Sequence, residues 1–203
     1  MKIYTISWCK DFMKKFISMF IIVFLAEVLF AQSTSDKLLG FWGIKWGTSI
    51  EETKNIVKQK GSYIITEELP DAIAYKGNFG GEDTSIFLYF FDNKFYKGVV
   101  SYPYEENRVF SKYRVIKEQV SSKYGKPQKE TELFLKPYYD GDGYEEQAVR
   151  VNKCIYYSTW NFSDQNIIGL TISNKLHTLL FYKNTKMQEE ADKKEKEKNM
   201  SDF

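Results

Sequence analysis

Ile86-Phe87-Leu88-Tyr89-Phe90-Phe91 is a run of six apolar residues, followed at once by Asp92-Asn93-Lys94. Successive side chains of a strand point to opposite faces. A strand that is apolar at odd and even positions alike therefore needs cover on both sides, with a helix supplying it on one. The polar tripeptide is a tight turn, so residues 84–91 and 95–102 form a hairpin. A lone hairpin is marginal in water. The rest of the chain must add strands and at least one helical layer, which makes the fold class α+β. The 16 Phe and 15 Tyr suit that sheet, because aromatic residues pack well on a pleated surface.

Around the hairpin the pattern is regular. Thr48-Ser49-Ile50-Glu51-Glu52 has the spacing of a helix start, where a hydroxyl and a carboxylate three residues on cap each other's backbone. That helix runs to about Lys60 and stops at Gly61. Strands are expected at 62–66 and 72–76. A second helix is expected over 106–124, since Val109, Tyr113, Ile116, Val120 and Tyr124 recur at helical spacing. Gly125-Lys126-Pro127 ends it as a cap and stop; the upstream glycine of a phosphate loop is missing. Further strands are expected at 132–136, 147–152, 154–160, 166–172 and 176–182, with a long turn-rich loop over 137–146. Residues 184–203 form a charged tail, helical or disordered, with Glu189/Lys193, Glu190/Lys194 and Asp192/Lys196 at i,i+4 spacing.

The first 31 residues read as a secretory signal. Lys14 and Lys15 precede an apolar run from Phe16 to Ala26, and Ala31 suits cleavage before Gln32. Met13 is an alternative start, and an uncleaved anchor is the alternative fate. Residues 32–183 then form one exported domain, periplasmic or secreted. Of the 29 basic and 27 acidic residues, four and two fall within 1–31, leaving 25 of each and a neutral mature chain. Neutrality gives no electrostatic reason to expect nucleic acid, or a membrane other than through the leader. Only Cys154 remains after the leader, so no internal disulfide and no multi-cysteine zinc site can form. It is expected to be buried on a strand.

The two halves read alike, each a helix followed by antiparallel strands, giving pseudo-repeats at about 40–102 and 103–183. The hairpins align without gaps: Ile86 to Phe91 on Ile167 to Ile172, then Asp92-Asn93-Lys94-Phe95 on Ser173-Asn174-Lys175-Leu176. With Trp46-Gly47-Thr48-Ser49-Ile50-Glu51-Glu52 ahead of a helix, the chain resembles exported bacterial modules of the β-lactamase-inhibitory-protein-like type. It also resembles the small lipoprotein of the outer-membrane β-barrel assembly machinery. The match covers mainly residues 42–60 and is largely a helix cap. The chain departs from these families in lacking a lipidation cysteine after the leader, and in having one helix per half. The resemblance implies a duplicated α+β sheet that binds other proteins, and carries over no functional residue.

No catalytic residue and no cofactor is expected. His177 is the single histidine, on a strand face with Leu179 and Phe181. There is no Gly-x-Ser-x-Gly elbow and no two-histidine zinc helix. Gly141-x-Gly143 lacks the strand and helix of a dinucleotide site. Asp140, Asp142 and Glu145 are hard oxygen ligands in a glycine-containing loop and so a calcium candidate, although Tyr144, Glu145 and Val151 break the EF-hand pattern. Tyr138, Tyr139 and Tyr144 suit a contact surface, because Tyr offers large amphipathic area at low entropy cost. Trp42 and Trp46 either stack on a ligand or pack under the following helix. The leading expectation is a non-catalytic binding module for an envelope protein or peptide. Its contacts are the exposed sheet face and the loop 138–146. A carboxylate-based enzyme acting on an envelope sugar polymer and a structural envelope component are the alternatives.

Overall fold

The computed structural model describes residues 37–201; the expected leader, its cleavage point and the anchor alternative lie outside them. A two-residue strand β1 (Gly40–Phe41) pairs with β2 (Ile44–Lys45) around Trp42 and Gly43, both at positive φ. Helix α1 (Ile50–Lys58) follows, then β3 (Ile64–Leu69), β4 (Ala72–Phe79), β5 (Glu82–Phe91) and β6 (Lys94–Tyr102). Helix α2 (Val109–Tyr124) leads into β7 (Lys129–Phe134), α3 (Glu145–Arg150), β8 (Cys154–Asn161), β9 (Ile167–Ile172) and β10 (Thr178–Lys183). Helix α4 (Thr185–Ser201) closes the described chain. The eight strands from β3 onward make one antiparallel sheet in the order β3-β4-β5-β6-β10-β9-β8-β7. Among the described residues no helix is long and apolar enough to cross a membrane.

Local chemistry sets most boundaries. Ser49 caps α1 by accepting from the Glu52 N–H, and Glu51 and Glu52 sit at the positive end of the helix dipole. Asp92 and Asn93 link β5 to β6, both in the left-handed region, at φ 47° and 61°. Two such residues match the twist of the strands they join. Helix α2 begins at Val109 and not 106, because Asn107 also turns left-handed, at φ 57°. Strand β7 lies a few residues ahead of its expected place at 132–136.

The two faces of the sheet differ. Register puts Ile73, Tyr75, Ile86, Leu88, Val100, Leu180, Leu170, Ile168, Ser158 and Trp160 on one face. All ten are at most 4 % exposed. Helices α1 and α2 cover this face, α2 with Val109, Tyr113, Ile116 and Val120. The β1–β2 hairpin fills the space between them. Phe41 lies against Gly98, where any Cβ would overlap its ring, and it packs on Phe79 and Tyr182. Tyr113 reaches the sheet to share a 2.7 Å hydrogen bond with Ser158. At one sheet edge β3 exposes Ile64, Ile65 and Leu69. A bulge between Ile65 and Glu67, together with Glu67 and Glu68, disfavours pairing with another chain there.

Two expectations are corrected. Residues 147–152 are not a strand: Glu145–Arg150 is α3, opened by the Ala148 N–H donating to the Tyr144 carbonyl. Ala148 and Val149 are both buried. Neighbours in a strand point apart, so only a helical turn lets both face the core. The gapless hairpin alignment also fails. Ile86 shares a face with Leu170 through Val100 and Leu180, so Ile167 points the opposite way. A one-residue shift flips every side chain. Aligning Ile86, Leu88 and Phe90 with Ile168, Leu170 and Ile172 restores the match of buried positions. The connections differ too, since Phe91 pairs directly with Lys94 whereas five residues separate Ile172 from its partner Thr178.

Tyr75 and Tyr113 are both buried, but the Tyr75 hydroxyl has no hydrogen-bond partner among the described residues. Losing a satisfied buried bond costs about 1–3 kcal/mol, whereas losing an unpaired hydroxyl removes a desolvation penalty. Urea unfolding should therefore show Tyr113→Phe destabilised by that amount and Tyr75→Phe unchanged or more stable. Equal losses at both positions would contradict these hydrogen-bond assignments.

Candidate functional site

The opposite face of the sheet carries Ser85, Phe87 and Tyr89 of β5, Lys97, Val99 and Ser101 of β6, and Leu179, Phe181 and Lys183 of β10. Gly169 and Thr171 of β9 and Tyr157 of β8 continue it. Phe87, Tyr89, Val99, Leu179, Phe181 and Tyr157 are half-buried. An antiparallel sheet with one wet face normally alternates polar residues outward; these are not polar. The Phe181 ring lies across Gly169, where a Cβ would overlap it.

Helix α4 crosses part of this face. Asn184 starts it, donating its N–H to the Tyr96 carbonyl at 2.8 Å while its side chain accepts from the Met187 N–H. Farther along, Lys194 pairs with Asp92 at 2.7 Å and sits over the Phe91 ring. Lys194 thus bonds to the β5–β6 turn, while Lys193 pairs with Glu197 rather than Glu189. The contacting side of α4 is Met187, Gln188 and Ala191, all only half-buried.

Between α4 and the sheet lies a groove of about 510 Å³ lined by Tyr89, Lys97, Val99, Thr171, Leu179, Phe181, Lys183, Gln188 and Asp192. Lys97 and Lys183 stand directly opposite each other across the β6–β10 ladder. Like charges placed so are destabilising. Burial, and then the charge on Lys183, hold the Lys97 ammonium below its usual range, while Asp192 acts the other way. Lys97 sits 5.2 Å from the Tyr89 ring centre. Among the described residues neither lysine has a carboxylate within 4.0 Å.

The loop expected to bind lies elsewhere. Tyr139 and Tyr144 are 65 % and 61 % exposed, whereas Tyr138 packs against the core. Asp142 accepts the N–H groups of Tyr139 and Tyr144, and Glu145 accepts that of Gly141. These carboxylates cap their own loop, as Asx turns do. Among the described residues no group of three or more His, Cys, Asp or Glu is arranged to hold a metal ion, and Asp140, Asp142 and Glu145 form no such group. A recess of about 360 Å³ beside them is lined by Asn107 and Phe110 of the α2 region together with Tyr144, Glu145 and Glu146. Glu146 accepts from the Tyr104 hydroxyl at 2.8 Å. The loop therefore sits with α2, on the helix-covered side, and is not continuous with the groove. Trp42 packs edge-on against Tyr63 and Phe79, and Trp46 stacks on Phe95 and donates its ring N–H to the Leu38 carbonyl. Both tryptophans serve the core.

Cys154 and the hydroxyl beside His177 are buried. His177 Nδ1 is 3.1 Å from Ser101 Oγ, but Ser101 is 7 % exposed, and among the described residues no carboxylate hydrogen-bonds to the ring. Cys154 is 5 % exposed on the helix-covered side, and burial pushes its thiol up to about 11. The groove residues had one signal in the sequence, the outward half of the doubly apolar run at Phe87 and Tyr89. Lys97, Lys183 and Phe181 join it only through strand pairing. The chain matches no family model, no curated protein and no solved structure.

At pH 8 a thiol-disulfide reagent should modify Cys154 slowly in the native protein and at once in denaturant, because the thiolate is the attacking species. Rapid native labelling would show that the thiol is open and activated.

Proposed function

We propose that this is an exported, non-catalytic binding module whose contact surface for an envelope protein or peptide is the open face of the sheet. The observation that carries the reading is the row of half-exposed apolar residues from Phe87 through Val99, Phe181 and Leu179 to Tyr157, which no described helix covers apart from α4 at one side. Contiguous apolar surface on a folded domain marks interaction sites. Aromatic residues concentrate in such contacts, and charged ones are depleted from their centres.

The reading includes duplication. Residues 40–102 and 103–183 each supply four strands preceded by a helix, the second half adding the short α3 between β7 and β8, and the sheet order mirrors about the β6–β10 pair. The resemblance at residues 42–60 to exported duplicated modules that bind proteins points the same way. Tyr139 and Tyr144 form a second, separate contact in this reading, reached from the helix-covered side. Trp42 and Trp46 drop out of it, being engaged in packing. Export rests on the leader-like residues 1–31, and a neutral, Tyr-rich surface fits a protein partner better than a polyanion.

The test is in-cell crosslinking of the tagged, exported protein, with mass spectrometry of what it captures and of its N-terminus. One enriched protein that disappears in Phe87→Lys/Tyr157→Lys, at unchanged melting temperature, is the expected result, together with a mature start near Gln32. Tyr139→Ala/Tyr144→Ala should leave stability within about 0.5 kcal/mol, as exposed substitutions do, and weaken capture. Capture that survives the Phe87/Tyr157 change would overturn the open-face assignment.

A further inference from the structure

We propose that the groove between α4 and the β6–β10 pair binds a small ligand that carries one carboxylate on an apolar body. The carboxylate lies on the ammonium groups of Lys97 and Lys183, and the body lies along Val99, Leu179 and Phe181. The inference rests on the open face being a binding surface, and adds a ligand chemistry to it.

Three observations combine. The first is shape: about 510 Å³ falls within the range of small-ligand clefts, which are mostly apolar with a few placed polar groups. The second is charge. Two lysines and Asp192 are the charged residues lining the groove, so it carries an excess positive charge next to an apolar wall. The third is frustration. Lys97 and Lys183 are exact cross-strand partners on a half-buried surface, and among the described residues no carboxylate is near enough to form an ion pair with either.

An apolar pair at these positions would be more stable, so the two charges need another reason. A ligand carboxylate supplies it. Two N–H donors on adjacent strands can each give a charge-assisted hydrogen bond to one of its oxygens. The same anion removes the repulsion between the lysines. Asp192, on α4, limits the total charge the groove accepts and favours a single negative charge over a dianion. Val99 and Phe181 are directly opposite each other one layer along the ladder, and Leu179 lies beyond them, so the apolar wall starts where the charge ends.

The experiment is an NMR titration of the exported protein with decanoate, kept below the concentration at which it forms micelles. Saturable shifts at Val99, Leu179 and Phe181 are expected. Decanol and decyltrimethylammonium should bind about tenfold more weakly or worse, since a hydrogen bond to a charged group is worth at least that factor. Lys97→Met/Lys183→Met should weaken decanoate by a similar factor while raising the melting temperature, and Lys97→Arg/Lys183→Arg should retain binding. Equal binding of decanol and decanoate would reduce the groove to an apolar patch and overturn the proposal. So would decanoate shifts located elsewhere, or no binding at all. Phe87 and Tyr157 do not line the groove, so the failures separate. Loss of protein capture in Phe87→Lys/Tyr157→Lys with no decanoate binding sinks the ligand and leaves the surface standing. Decanoate binding with no captured protein leaves the ligand standing and removes the protein contact.

Discussion

The pairing of β6 with β10 is the constraint on which the rest of this sheet depends. Six residue pairs, from Tyr102 with Thr178 to Lys97 with Lys183, join strands that are far apart in the chain. Without them the molecule would be two separate four-stranded meanders with their helices and too little to bury. With them Val100 and Leu180 become the middle of one continuous core face between Ile86 and Leu170. Such a contact has to overcome the entropy of closing a long loop before it contributes anything. It is therefore expected to form late, after the β5–β6 and β9–β10 hairpins, whose connections are short.

The same pairing explains why the faces differ. On the core face β6 has Gly98 where a side chain would otherwise stand, and Phe41 drops into that space from the β1–β2 hairpin. The gap between α1 and α2 is thereby sealed with an aromatic ring. On the open face the equivalent vacancy, at Gly169, is filled by Phe181 from the neighbouring strand of the sheet itself. One glycine recruits cover from outside the sheet and the other does not. The open face is left to α4, which is held at its start by Asn184 and near its middle by Lys194 and touches the sheet through half-buried residues.

Much of this was legible in the sequence, and what was not has a common cause. The Ser49/Glu52 cap, the Asp92-Asn93 turn and the helical spacing of Val109, Tyr113, Ile116 and Val120 are local signals and survive intact in the structure. The α+β class followed from the doubly apolar run. Residues 147–152 were misleading because a six-residue helix is too short to display a 3.6-residue period, and Ala148-Val149 beside Val151 looks equally like a strand. The hairpin alignment slipped by one because both sets of residues are apolar, so composition could not tell the faces apart. The exposure of Tyr139 and Tyr144 was readable from their turn-rich surroundings. The groove was not, since Lys97 and Lys183 become neighbours only through a pairing that no local pattern encodes.

Natural sequences are locally consistent, and places where a local rule is broken tend to be functional. Most of this chain obeys the rules: buried Trp160 gives its ring N–H to the Gly125 carbonyl, and Tyr113 finds Ser158. Other half-buried lysines find partners, as Lys54 does in Glu51 and Glu68, Lys112 in Glu82 and Lys117 in Glu130. Lys97 and Lys183 break the pattern at the centre of the sheet, where a Thr or Val pair would satisfy every strand preference. Asp192 is close enough to act on Lys97 but forms no ion pair with it, and it belongs to the helix that has no fully buried side chain among the described residues. Were α4 there to neutralise the lysines, its acid would be expected in contact with one of them. It stands instead at the rim of an open groove, which is the arrangement expected where the counter-charge comes from outside the chain.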